Sequence, residues 1–162
     1  MPTKKVADEL DYSVLDMNMD EVGEPTVAPE GEHRMEVGKM AIELSKKGRP
    51  MVVIVGRFID LEDTYPVREY LSYPQKGDEE SVAKGFVRRF RRWARALGLD
   101  DDAIYGAGLD VLKAGGLTEE TSPVVEPFET FQGLTFNAIV TVETLENGME
   151  VNRINSVLIP QA

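Results

Sequence analysis

Cysteine is absent from the chain, and histidine and tryptophan occur once each. Without thiols there is no disulfide framework, no thiolate metal site and no cysteine nucleophile, and the composition fits a reducing compartment. His33, standing alone, supplies neither a histidine pair for zinc nor a recognisable triad with a serine. No apolar run approaches the length that crosses a bilayer, and the amino terminus lacks the apolar core of a secretory signal, so the expected location is the cytoplasm. Glycine-rich phosphate loops are missing too, because Gly106 and Gly108 lack the residues that follow in such motifs. Asp100, Asp101 and Asp102 are adjacent carboxylates that do not converge on one point, and they read as a helix cap or solvated turn. These absences predict a protein without catalytic activity, metal or cofactor.

Positive charge is also scarce, with 18 lysines and arginines against 29 acidic residues in 162, a net charge of −11. It is concentrated in one place. Residues 79–97, EESVAKGFVRRFRRWARAL, hold six basic and two acidic residues, a balance of +4 that leaves −15 for the rest of the chain. A protein this acidic is unsuited to indiscriminate nucleic-acid binding, so any such site must be local. The same stretch has a helical period: Val82, Phe86, Phe90, Trp93 and Leu97 form one apolar stripe, while Lys84, Arg88, Arg91, Arg92 and Arg95 occupy another face. Glutamates at its start, arginines near its end and Gly98 beyond it agree with the helix dipole and a left-handed terminus.

The length suits one domain with a hydrophobic core. Residues 1–30 carry eight acidic residues against Lys4 and Lys5 with no sustained apolar period, and read as an acidic, flexible leader. Such a polyanion is either a solvated tail or a device that competes for the basic surface or recruits a basic partner. Residues 32–44 alternate, but the phase changes across Gly38 and Lys39, which predicts a long strand with a bulge or bend there. A basic turn, SKKGRP, leads to a second strand at 51–60, apolar on both faces at its start, and a third strand is expected at 67–73. After the helix, residues 98–132 read as a long loop or insertion, with one or two helical turns around 103–105 and 110–113 and no long element. Residues 134–143 alternate cleanly, and Asn147-Gly148 turns the chain into a fifth strand at 149–159.

The resulting order is three strands, a helix and two strands. That is the layout of the five-stranded Greek-key barrel called the OB-fold, in which the helix between the third and fourth strands plugs one end. The expected class is therefore mainly β with some helix, and the OB-fold domain is expected to span residues 31–160.

Across about residues 29–160 the chain resembles phage-encoded OB-fold proteins that bind single-stranded DNA. The similarity lies in PEGEHRMEV entering the first strand, VREYLSYP in the third, RRWARALGL at the helix end, and FETFQGLTFNAIVTVE before an Asn-Gly turn. Two departures stand out. Proteins of this kind often carry an acidic, partner-recruiting tail at the carboxyl end, whereas here the acidic run is amino-terminal; and residues 98–132 are longer than the pattern requires.

The resemblance implies single-stranded DNA as partner, with replication or recombination proteins recruited through the leader, and a homo-oligomer is compatible with it. It implies a binding face made by Lys46, Lys47 and Arg49 in the first hairpin loop, Arg57 on the second strand, and Arg68 and Tyr70 on the third. Tyr65 and Tyr73 are further aromatic candidates, and Arg153 lies on the fifth strand. Strand parity is not fixed by the sequence, so Tyr70 and Tyr73 are each either a base platform or a core residue. Arg88, Arg91, Arg92 and Arg95 form a secondary basic surface, which extends a DNA path, docks a protein or simply offsets the acidic remainder. The expected function is non-catalytic single-stranded DNA binding. The rival readings are a protein-interaction module on the same scaffold and an acidic DNA mimic.

Overall fold

The structure, a computed structural model, describes residues 24–160. β1 (Gly31–Leu44) is the strand on which the others are hung. Its whole second part and the residues Met35–Val37 pair antiparallel with β2 (Pro50–Phe58), and its first part pairs with β4 (Thr135–Thr144). One strand can serve both neighbours because its register slips between Val37 and Lys39, placing the extra residue, Gly38, in a bulge that bends the strand. Met35 and Val37 point inward before the bulge, Met40 and Ile42 after it, and all four are fully buried. The phase change expected at Gly38 is this bulge.

β3 (Val67–Ser72) pairs with β2, and β5 (Glu150–Leu158) with β4, giving the order β3-β2-β1-β4-β5. β3 and β5 then lie alongside each other and nearly close the barrel, although no ladder is formed between them among the described strands. Five antiparallel strands in this order, with a helix after the third, make an OB-fold-like barrel. Its two hairpin tips share one geometry. Ser45 and Leu145 each donate their amide to the carbonyl four residues on, at 2.8 and 2.7 Å, and Gly48 and Gly148 close each turn at φ +79° and +83°. The first tip carries Lys46 and Lys47, the second Glu146 and Asn147.

α1 (Glu80–Ala96) closes one mouth of the barrel. Phe90 meets Tyr73 at a ring separation of 4.6 Å and Trp93 meets Phe136 edge-on at 4.9 Å, so the helix is held by aromatic pairs, one just past the end of β3 and one on β4. The stripe expected from Val82 to Leu97 is buried only in its second half. Val82 and Val87 are exposed, because a helix of 17 residues, about 25 Å long at 1.5 Å per residue, overhangs the mouth that it plugs.

Residues 98–132 depart from the expected loop. They contain a continuous three-turn helix, α2 (Ala103–Lys113), and a 3-10 turn (Glu126–Phe131) that buries Phe128. Gly106 and Gly108 both lie within α2, and Gly108 is a contact residue: a methyl built there would run into the Tyr73 hydroxyl and ring. The same segment covers the edge of β1 that β4 leaves bare beyond the bulge. Ile42 and Val124 exchange backbone hydrogen bonds of 3.0 and 2.8 Å, and the Leu44 amide donates to Ser122 Oγ.

The expected leader of residues 1–30 lies outside the described residues as far as residue 23. Its last part belongs to the barrel wall. Ala28 is fully buried, and the Asn152 side chain clasps it, accepting from the Ala28 amide at 2.7 Å and donating to its carbonyl at 2.9 Å. No helix among the described residues is long and apolar enough to cross a membrane.

The Gly108 contact is testable by urea denaturation. Gly108→Ala is expected to cost about 1–3 kcal/mol through overpacking, against a gain of up to ~1 kcal/mol in helix propensity. Tyr73→Phe removes the hydroxyl that the new methyl would strike and by itself costs about 1 kcal/mol for its lost hydrogen bond. The double variant should be less destabilised than the two singles predict together; strict additivity would mean that the hydroxyl is not the obstacle.

Candidate nucleic-acid interface

Because Val52, Ile54, Val67 and Leu71 face the core, strand alternation sends their neighbours outward, and the registers align them in rows across β1, β2 and β3. One row is Lys39, Val55, Arg68; the next is Ala41, Val53, Tyr70; the third is Glu43, Met51, Ser72. The first two rows and Glu43 line a shallow groove of about 210 Å³. Its floor is aliphatic, made by Ala41, Val53 and Val55. Tyr70 rises from it with 43% of its surface exposed, Lys39 and Arg68 are exposed at one end, and Glu43 stands at the other. An aromatic face above a small-residue floor accepts a flat ring, and the two cations one row away accept phosphate oxygens.

Lys39 was not among the expected residues, nor was Glu43. The sign of Lys39 in the sequence is the phase change at Gly38, which turns it outward; its alignment with Arg68 depends on two strand registers that no local pattern carries.

The other candidates are distributed more widely. Lys46 and Lys47 are exposed on the hairpin tip. Arg57 is two residues beyond Val55 on the same outward face and holds Glu36, its partner in register, at 2.8 Å. Tyr65 is exposed in the β2–β3 connection, where its amide bonds the Thr26 carbonyl. Arg153 is exposed on β5, away from the groove walls, and bonds Glu143 at 2.7 Å.

Two expectations are corrected. Tyr73 is a core residue, 3% exposed, wedged among Phe90, Tyr105 and Gly108, with its hydroxyl donating to the Tyr105 carbonyl at 2.9 Å. It has no open face for a base, and burial pushes its hydroxyl pKa up. Arg49 is a latch. Its guanidinium donates to the Tyr73 carbonyl through Nε and Nη2 and to Asp78 Oδ2 at 2.6 Å, and it lies 4.7 Å above the Phe86 ring. Those contacts engage its Nε and Nη2 donors and tie the first hairpin to the start of α1.

The arginines of α1 lie elsewhere. Arg88, Arg91, Arg92 and Arg95 line a separate depression beside Ile159. Arg95 makes two bonds of 2.8 and 2.9 Å to Asp101, which hold the Asp101 carboxyl below the usual carboxylate range. Asp101 is therefore an ion-pair partner, and the Asp102 side chain caps no amide at the start of α2. Among the described residues, no cluster of histidine, cysteine, aspartate or glutamate could hold a metal ion. No family model matches the chain, and no curated protein does.

The latch carries a pH prediction. The Gln75 amide and then the Arg49 guanidinium hold the Asp78 carboxyl below its ordinary value. Its folded pKa is thus lower than its unfolded one, so its stabilisation is complete above about pH 4 and is lost as pH falls through the lowered folded value. Asp78→Asn should melt below the wild type at neutral pH, with the gap narrowing on acidification. A constant gap from pH 7 down to the acid limb would contradict the assignment.

Proposed function

We propose that this protein binds single-stranded DNA across the outer face of β1, β2 and β3, without catalytic chemistry. The observation that carries the reading is the groove itself. An exposed Tyr70 stands over Ala41 and Val53, one row from the exposed cations Lys39 and Arg68. Residues two apart on a strand are separated by about 6.6 Å, the scale of one nucleotide, so Tyr70 can take a base while Arg68 takes the adjoining phosphate. Lys46 and Lys47 on the hairpin tip, and Arg57 beyond the cationic end, extend the phosphate-binding edge. In a chain of net charge −11 these few cations must be enough, which implies modest affinity and a shallow dependence on salt. A role in phage DNA replication or recombination, with partners recruited through the acidic leader, rests on the resemblance in sequence layout alone.

A second reading, a protein-interaction module, is favoured by Val82 and Val87 on the overhanging half of α1, exposed beside Lys84 and Arg88.

Fluorescence anisotropy with labelled oligothymidine tests the first reading. Tyr70→Ala should weaken binding about 5- to 150-fold, the worth of one base stack. Lys39→Gln and Arg68→Gln should each lower the slope of log affinity against log salt by about 0.7. Duplex DNA of the same length should bind more weakly at each salt concentration. Absence of binding to oligothymidine at low salt would defeat the proposal.

A further inference from the structure

β3 is the border between two cationic surfaces. Arg68 and Tyr70 project from its outer face into the groove, while Glu69, between them, turns toward the barrel seam and is grasped by Arg89 of α1. Burial pushes the Glu69 carboxyl up and Arg89 opposes that shift. On the seam side, Arg89 and Arg92 line a cleft of about 170 Å³ with Trp93, Asn155 and Ser156 of the α1–β5 junction. The same two arginines line the neighbouring depression of about 290 Å³, together with Arg88, Arg91 and Arg95. The two hollows therefore adjoin at Arg89 and Arg92, and the pair makes up an arginine trough. Five guanidiniums surround it, and among the described residues only Arg89 and Arg95 hold carboxylates.

β3 contributes to both sides: Arg68 and Tyr70 line the groove, and Glu69, between them, lines the seam-side cleft and holds Arg89. Adjacent Cα atoms are about 3.8 Å apart, and the outer edge of β3 bears no ladder partner among the described strands. On the seam side of β3 the cleft presents Arg89 and Arg92.

We infer that a single strand seated in the groove continues over the edge of β3 into the arginine trough of α1, which holds its phosphates without gripping its bases. The residues lining the trough include no exposed aromatic ring: Trp93 is 4% exposed, and the other apolar lining residues are the aliphatic Ile154, Val157 and Ile159. It is suited to backbone charge alone, so this part of the path is independent of base identity. The inference rests on the groove reading, and it adds a second segment to the bound strand, so that site size and salt dependence exceed what the groove supplies.

The test compares two oligothymidines, one of about five nucleotides and one of about sixteen, the two ends of the range for a single OB-fold. Arg88, Arg91 and Arg92 are changed together to Gln, and in a second variant together to Lys. All three are exposed, and thermal melting confirms folding. The Gln variant should bind the short strand as the wild type does, but lose at least tenfold for the long strand, with a salt slope smaller by about 2, three contacts at about 0.7 each. The Lys variant should retain most of the long-strand slope. Unchanged long-strand binding in the Gln variant, or equal losses at both lengths, would overturn the inference. So would unchanged long-strand binding together with lost binding of a synthetic peptide of residues 8–22, which would make the trough an acidic-peptide site. Wild-type protein that binds neither strand would instead defeat the groove reading.

Discussion

The extra residue that β1 carries against β2, between Val37 and Lys39, decides which side chains the barrel shows to solvent. A strand with strict two-residue alternation would have put Lys39 on the face of Met35 and Val37, inside the barrel, where an ammonium group is costly to bury. The bulge turns Lys39, Ala41 and Glu43 outward and returns Met40 and Ile42 to the core. It also bends β1 away from β4, which is why the first half of the strand has β4 for a neighbour and the second has only the Val124 bridge. Groove, core and the covering role of residues 98–132 all follow from that one irregularity.

The second constraint is the aromatic junction where β3 hands the chain to α1. Tyr73, Phe90 and Tyr105 come from three elements and meet within 4.6 to 5.1 Å, and α2 approaches closely because position 108 has no side chain. Arg49 closes the junction from the hairpin side through the Tyr73 carbonyl and Asp78. This half-buried cation is held by two acceptors and an aromatic face at once, and it is no longer a mobile counter-charge. The barrel thereby separates its basic residues by role: Arg49 is internal bracing, Arg57 and Arg153 are half-neutralised on the surface, and Lys39, Lys46, Lys47 and Arg68 remain open to a polyanion.

The features that sequence reading recovers are those written in local periodicity. The bulge at Gly38, the alternation of β4, the Asn-Gly turn and the amphipathic stretch ending in Trp93 and Leu97 each occupy fewer than twenty consecutive residues, and each was legible. What was illegible depends on partners far away in the chain. Arg49 reads as a loop cation until Asp78, 29 residues on, is known to face it. Gly108 has no assignable role in the sequence until Tyr73 is known to lie against it. For Tyr70 and Tyr73 the deciding fact is parity: Val67 and Leu71 fix the inner face of β3, so the odd-numbered tyrosine is buried and the even-numbered one is displayed.

The two hairpin tips, built on the same pair of backbone hydrogen bonds and the same left-handed glycine, amount to interchangeable sockets. In each, the glycine and the flanking backbone set the turn; Lys46, Lys47 and Glu146 project into water, while Asn147 Oδ1 also accepts from the Met149 amide at 3.0 Å. Lys46-Lys47 in one and Glu146-Asn147 in the other are thus inserts of opposite polarity in a common mounting. The scaffold can be retuned at its rim, from attracting a polyanion to repelling one, at Lys46, Lys47 and Glu146, whose side chains are exposed.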